Sequence, residues 1–105
     1  DSYVRDLRAQ IRNGSENYFL DRLLVAGIVE ARGCERFGLV ADALCEDALG
    51  KFYLAIAESE SRHAEIFMDL ARAYFPAERI DPRLDALLDA EASILNDLEI
   101  HPALH

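Results

Sequence analysis

The chain has 105 residues, 51% hydrophobic and 30% charged, with 20 acidic against 11 basic side chains and a formal net charge of -9. That length permits one small domain with a modest core, and no apolar run approaches the ~20 residues of a membrane-spanning helix. The spread of apolar residues excludes disorder, and the acidic balance argues against broad binding of nucleic acid, whose phosphates repel net negative charge.

Glycine and proline punctuate the chain, and the pattern between them is helical. Tyr3, Val4, Leu7 and Ile11 predict a short amphipathic helix over about 2–13, ended by Asn13-Gly14. Ser15 is expected to cap a long helix over about 15–43, with Glu16 in its first turn. A second long helix is expected over about 46–75, stopped by Pro76. Asp81-Pro82 then reads as the N-cap and first position of a last helix over about 82–98. No strand alternation or internal repeat occurs, so the expected class is all-α, one domain over 1–105. The chain opens at Asp1 without methionine. That fits a trimmed chain or, the preferred reading, a piece of a longer protein. Cys34 and Cys45 form no disulfide scaffold and no zinc spacing, and unpaired thiols suggest a cytoplasmic setting.

Each long helix carries one apolar seam. The first reads Leu20, Leu23, Gly27, Glu30, Cys34, Phe37 and Ala41; the second reads Leu49, Tyr53, Ile56, Glu60, His63, Phe67, Leu70 and Tyr74. Only Glu30, Glu60 and His63 interrupt these seams with a carboxylate or an imidazole. Glu58, Glu65 and Asp69 fall on the outward face, so the sequence places other carboxylates outside. A carboxylate on an inward seam needs a partner. Glu60 and His63 form a Glu-x-x-His motif, which sets carboxylate and imidazole one turn apart on one face. Di-metal carboxylate bundles use this arrangement together with single glutamates on facing helices. Oxygen-rich ligation with one nitrogen suits iron or manganese better than structural zinc. A buried Glu–His pair held by Arg62 or Arg32 is the metal-free alternative.

The residues around these positions carry a more specific signal. LLVAGIVEARGCERF (Leu23 to Phe37), LGKFYLAIAESESRHAEIF (Leu49 to Phe67) and the ending RLDALLDAEASILNDLEIHPALH resemble the tRNA 2-methylthio-isopentenyladenosine hydroxylases. The resemblance covers essentially the whole chain and maps onto the C-terminal half of that family. It implies a ferritin-like bundle, of which this chain holds the third and fourth bundle helices with short flanking helices. It implies that Glu30, Glu60 and His63 are ligands of a di-iron centre, the other half of the bundle supplying another Glu and another Glu-x-x-His. The implied activity is hydroxylation of the isopentenyl group of the hypermodified adenosine beside the tRNA anticodon, with O2 as co-substrate and an external electron donor. The implied partners are the tRNA, an electron-transfer protein, and either the missing half of the bundle or a second copy of this chain. A ferritin-like iron-binding or peroxide-handling bundle without RNA, and a metal-free helical interaction module, are the competing functions.

Several further residues carry expectations. Ala26, Gly27 and Gly33 are small and near the ligands, so they are expected to leave room for oxygen or the prenyl tail. Glu91 is expected to reach solvent or an arginine, and Glu35 to pair with Arg32 or Arg36. Cys34 reads as a small buried hydrophobe, Cys45 as an incidental thiol, and Tyr53 and Tyr74 as core residues. His101 and His105 are expected to hold no metal. Arg5, Arg8, Arg12, Arg32 and Arg36 are either phosphate contacts or partners in ordinary helix salt bridges.

Overall fold

The computed structural model describes residues 2–44 and 48–100, and all the regular structure in them is helical, in four elements: α1 Ser2–Arg8, α2 Ser15–Leu44, α3 Ala48–Tyr74 and α4 Ala77–Ile100. The all-α expectation holds. Cys45, His101 and His105 lie outside the described residues.

The helices α2 and α3 form an antiparallel pair along their whole lengths. The register is read from side-chain meetings: Phe19 against Tyr74 and Phe75, and Phe37 stacked on Tyr53 at a centroid distance of 6.0 Å. Between them, Gly27 faces Phe67 and Met68, and Gly33 faces Glu60. Gly27, Gly33, Ala57 and Ala71 are buried, so small residues let the two backbones approach. The opposite side of α2 carries Leu20, Leu24 and Ile28, and α1 and α4 close over it with Tyr3, Leu7, Ile80 and Leu87. This second layer holds the largest fully buried side chains, Leu7, Leu20, Leu24, Leu87 and Asp21.

Two buried carboxylates pin that layer. Asp21 is fully buried and accepts hydrogen bonds from the Arg12 and Arg83 guanidiniums and from the Arg12 backbone N–H. Glu91 is 2% exposed and accepts from Tyr3 Oη at 2.6 Å and from Arg32 Nη2 at 2.7 Å. Burial alone raises the Asp21 carboxyl, but the two arginines outweigh it and hold it at about 2. Glu91 is likewise lowered, Arg32 and Tyr3 outweighing burial.

Three boundaries depart from the sequence expectation. α1 ends at Arg8, short of residue 13, because the Arg12 N–H donates to Asp21 and cannot continue a helix. Gly14, at φ 95°, does not close α1; its carbonyl accepts from the Tyr18 N–H and opens α2. α4 begins at Ala77, and Asp81-Pro82 is not its start. The Pro76 carbonyl accepts from the Arg79 and Ile80 N–H groups, which buries Ile80. Pro82 removes one N–H from the ladder, but it and Glu78 are exposed, so water serves the freed carbonyl. No helix among the described residues is long and apolar enough to cross a membrane.

Candidate metal centre

α2 and α3 bring Glu30, Glu60 and His63 together at the middle of their shared length. One ligand atom from each lies within 4.8 Å of the others. His63 Nδ1 stands 3.7 Å from Glu30 Oε2. That oxygen is buried and has no hydrogen-bond partner. The facing Glu60 carboxylate raises the Glu30 carboxyl, burial adds to the rise, and His63 opposes it. Two carboxylates and an imidazole converging on a point, with one buried oxygen unsatisfied, form a donor set that a cation completes. No ion pair joins Arg62 or Arg32 to Glu30 or Glu60 among the described residues; Arg32 is spent on Glu91 and Glu35. The arginine-clamped alternative therefore lacks its clamp.

The candidate ligands are less buried than an inward seam implies. The side chains of His63 and Glu30 are 51% and 27% exposed. Two helices cover only the strip between them, so groups at its edge stay half open. Phe19 on α2 and Phe52, Ile66, Leu70 and Tyr74 on α3 are likewise exposed. Tyr74 is therefore not a core residue, whereas Tyr53 is partly covered by Phe37.

Local packing explains why the carboxylates reach one another. A Cβ on Gly33 would stand 3.3 Å from Glu60 Oε2, so the missing side chain is the space the carboxylate uses. A Cβ on Gly27 would meet Met68 Sδ at 3.4 Å. A Cβ at either glycine meets a side chain of α3, although Gly27 also borders a cavity of about 470 Å³ with Ile28, Met68 and Leu84. Only Ala26 of the three small residues lines a cavity beside Glu30.

The whole chain, residues 1–105, matches the family model described as tRNA-(MS[2]IO[6]A)-hydroxylase (MiaE). The chain belongs to the MiaE family. It is 33% identical over 93 residues to the tRNA 2-(methylsulfanyl)-N(6)-isopentenyladenosine(37) hydroxylase of Salmonella typhimurium, covering 89% of this chain and 34% of that protein. It is 38% identical over 72 residues to the enzyme of the same name from Pseudomonas putida, covering 69% of this chain and 35% of that protein. The chain thus spans about a third of the length of these curated relatives. No solved structure matches it significantly.

Other expectations concern residues away from the candidate metal centre. Glu35 pairs with Arg32, as expected, and Glu91 reaches Arg32. It does so from a buried position, on the far side of α2 from the metal cluster. Cys34 is free and partly exposed. Asp21, which anchors Arg12 and Arg83, was not among the residues the sequence singled out. Its signal was available: it lies on the second stripe of α2, one turn before Leu24 and two before Ile28.

Proposed function

We propose that this chain is the ligand-bearing part of an O2-dependent iron hydroxylase acting on the isopentenyl group of the modified adenosine beside the tRNA anticodon, in the cytoplasm. The convergence of Glu30, Glu60 and His63 on one point is the observation that supports this reading most. Glu30 and Glu60 offer anionic oxygens to a pair of irons and His63 offers one nitrogen, a set that suits iron. Iron bound there supplies the chemistry by which O2, two electrons from an external donor protein and two protons place one oxygen in a C–H bond and release the other as water. The chain's own share is to hold the carboxylates in register. Gly33 admits Glu60, α3 sets Glu60 and His63 one turn apart, and the Asp21 and Glu91 anchors fix α2 from behind.

The open edge of α2 and α3, where His63 is half exposed and large apolar side chains such as Ile66 and Leu70 of α3 are uncovered, is the face on which a second helical layer completes the ligand set. We assign that layer to further segments of a longer polypeptide, because the relatives are about three times the length matched here. A second copy of this chain is the other source.

The test is direct. The full-length protein is loaded with iron, supplied with reductant and O2, and given tRNA carrying the prenylated nucleoside. Nucleoside mass spectrometry should show gain of one oxygen. Glu60→Ala and His63→Ala should each abolish both iron retention and product, while Glu58→Ala, on the exposed face, should change neither. Retention of iron by the Glu60 and His63 variants would sink the site; a fully loaded protein giving no product would sink the activity. Analytical ultracentrifugation decides between one chain and two.

A further inference from the structure

A groove of about 470 Å³ lies where α2, α3 and α4 meet, apart from the open edge that carries His63. Its floor is apolar: Ile28 and Ala31 of α2, Ala64 and Met68 of α3, Leu84 and Leu88 of α4. Leu88 is 41% exposed, so the floor is uncovered. At ~100° per residue, Ala64 and Met68 point about 100° and 140° round α3 from His63. Ile66 and Leu70 lie about 60° and 20° to the other side of His63. A helical layer stacked on Ile66 and Leu70 therefore leaves the groove open.

The rim of the groove is acidic. Glu35, Glu65, Asp69 and Glu91 line it against two cations, Arg32 and Arg72. Both cations already face carboxylates of the same groove: Arg32 meets Glu91 and Glu35, and Arg72 meets Asp69. On α4, Asp85 and Asp89 directly follow Leu84 and Leu88 and are exposed, and no lysine or arginine occurs after Arg83. An apolar floor inside a negative rim selects its occupant. RNA phosphates are repelled by it. A second copy related by a two-fold axis would set the same carboxylates against one another. A protein surface with an apolar centre and a basic surround is complementary to it.

We propose that this groove docks the external electron donor, a one-electron carrier protein whose docking face is basic around an apolar centre. The proposal rests on the hydroxylase reading above, which needs two electrons from outside, and names where they enter. The floor supplies the route, because Ala31 and Ala64 directly follow the candidate ligands Glu30 and His63 in the chain. A carrier seated there is one residue from the cluster on each helix. The edge that holds Ile66 and Leu70 stays free for the second layer. Each encounter oxidises the carrier by one electron and reduces bound iron by one, with no atom transferred. Two encounters serve one turnover, so the carrier must leave as readily as it arrives. Electrostatic steering to a small interface gives fast arrival with weak holding.

The experiment uses ferricytochrome c as the probe, a basic one-electron carrier with an apolar haem edge, and ferricyanide as an anionic control. Calorimetry measures cytochrome c binding to the iron-free full-length protein. The anaerobic ferrous protein is then mixed with each oxidant in a stopped-flow instrument, so that an electron leaves iron by the path through which it enters. Glu65→Lys and Asp85→Lys should each weaken binding and slow haem reduction at least about fivefold at low salt. Salt at 1 M, with a screening length of ~3 Å, should remove that difference. Leu88→Ser, at an exposed position of the floor, should weaken binding about threefold at either salt. Asp6→Lys, the same change of charge on α1, should alter binding and rate by less than about twofold. Ferricyanide rates should fall in none of them. Groove reversals that behave like wild type, or an Asp6→Lys effect as large as theirs, overturns the proposal, since net charge alone would then be acting. Groove-dependent binding by the iron-free protein, with no hydroxylated product from the loaded one, removes the hydroxylase reading and keeps the docking face. Product formation by a protein whose groove variants bind the probe like wild type does the reverse.

Discussion

Gly33 and Glu60 are fitted to each other across the α2–α3 seam: a Cβ at position 33 would stand 3.3 Å from Glu60 Oε2. The carboxylate occupies the place of a side chain, and that is how it reaches toward Glu30. Gly33→Ala should therefore push Glu60 by a few tenths of an ångström and weaken ferrous iron binding about tenfold, the scale seen when groups supporting metal ligands are disturbed. Stability should not fall in parallel, because alanine favours a helix interior by about 1 kcal/mol over glycine. Iron titration beside a thermal melt separates the two effects. Wild-type iron affinity in this variant would show that the contact does not position the ligand.

The cluster of Glu30, Glu60 and His63 was legible in the sequence because the neighbours of each are apolar at helical spacing, so each charge stood out on its seam. Their depth was not legible. Burial at an edge depends on what packs there, and α2 and α3 alone leave His63 half exposed. The helix boundaries failed for a related reason. α1 stops early because the Arg12 N–H is drawn to Asp21, and α4 starts early because Ile80 gains a buried place. Both causes are tertiary and outweigh local start and stop signals such as Asn13-Gly14 and Asp81-Pro82. Glycines were read as vacancies, yet at positions 27 and 33 the partner helix supplies the atoms that fill them.

The Asp21 anchor makes stability depend on pH in a defined window. Its carboxyl sits at about 2 in the folded chain against about 3.9 when unfolded. A lowered folded value means the contribution is complete above pH ~5 and is lost as pH falls from ~4 toward 2. The size is about 2.6 kcal/mol, from 1.4 kcal/mol for each unit of difference. Asp21→Asn should remove this dependence and cost about 3 kcal/mol at neutral pH, the lower part of the range for a broken buried pair, because both arginines reach solvent. Urea midpoints measured between pH 2 and 7 decide it. A variant that keeps the wild-type acid profile would assign the loss to other carboxylates.

Tyr3 and Glu91 tie the first helix to the last. The Tyr3 hydroxyl donates at 2.6 Å to a carboxylate that is 2% exposed and also held by Arg32. Burial and the Glu91 charge both push the Tyr3 hydroxyl upward, so it remains a donor through the whole working range. Tyr3→Phe removes the donor and leaves the ring, so it should cost about 1–2 kcal/mol. Glu91→Gln should cost more, because Arg32 loses its buried counter-charge. Hydrogen exchange should localise the Tyr3→Phe effect to α1 and the facing turns of α4. Uniform loss of protection across α2 and α3 would mean that α1 is not a separately opening unit.

Gly27 gives the sharpest contrast between two substitutions at one place. A Cβ there meets Met68 Sδ at 3.4 Å and Phe67 Cβ at 3.7 Å, ordinary contact against a side chain that bends. Gly27→Ala should be neutral or stabilising by up to about 1 kcal/mol through helix propensity. Gly27→Leu must push Met68 and Phe67 aside and so part α2 from α3, an overpacking cost of about 1–3 kcal/mol. Parting them also moves Glu30 away from Glu60 and His63, so iron binding should fall with stability in the leucine variant and in neither respect for alanine. Denaturant midpoints and iron titration on the pair check this. A leucine variant with wild-type stability and iron affinity would show that position 27 opens into free space, and that the glycine is not there for the helix approach.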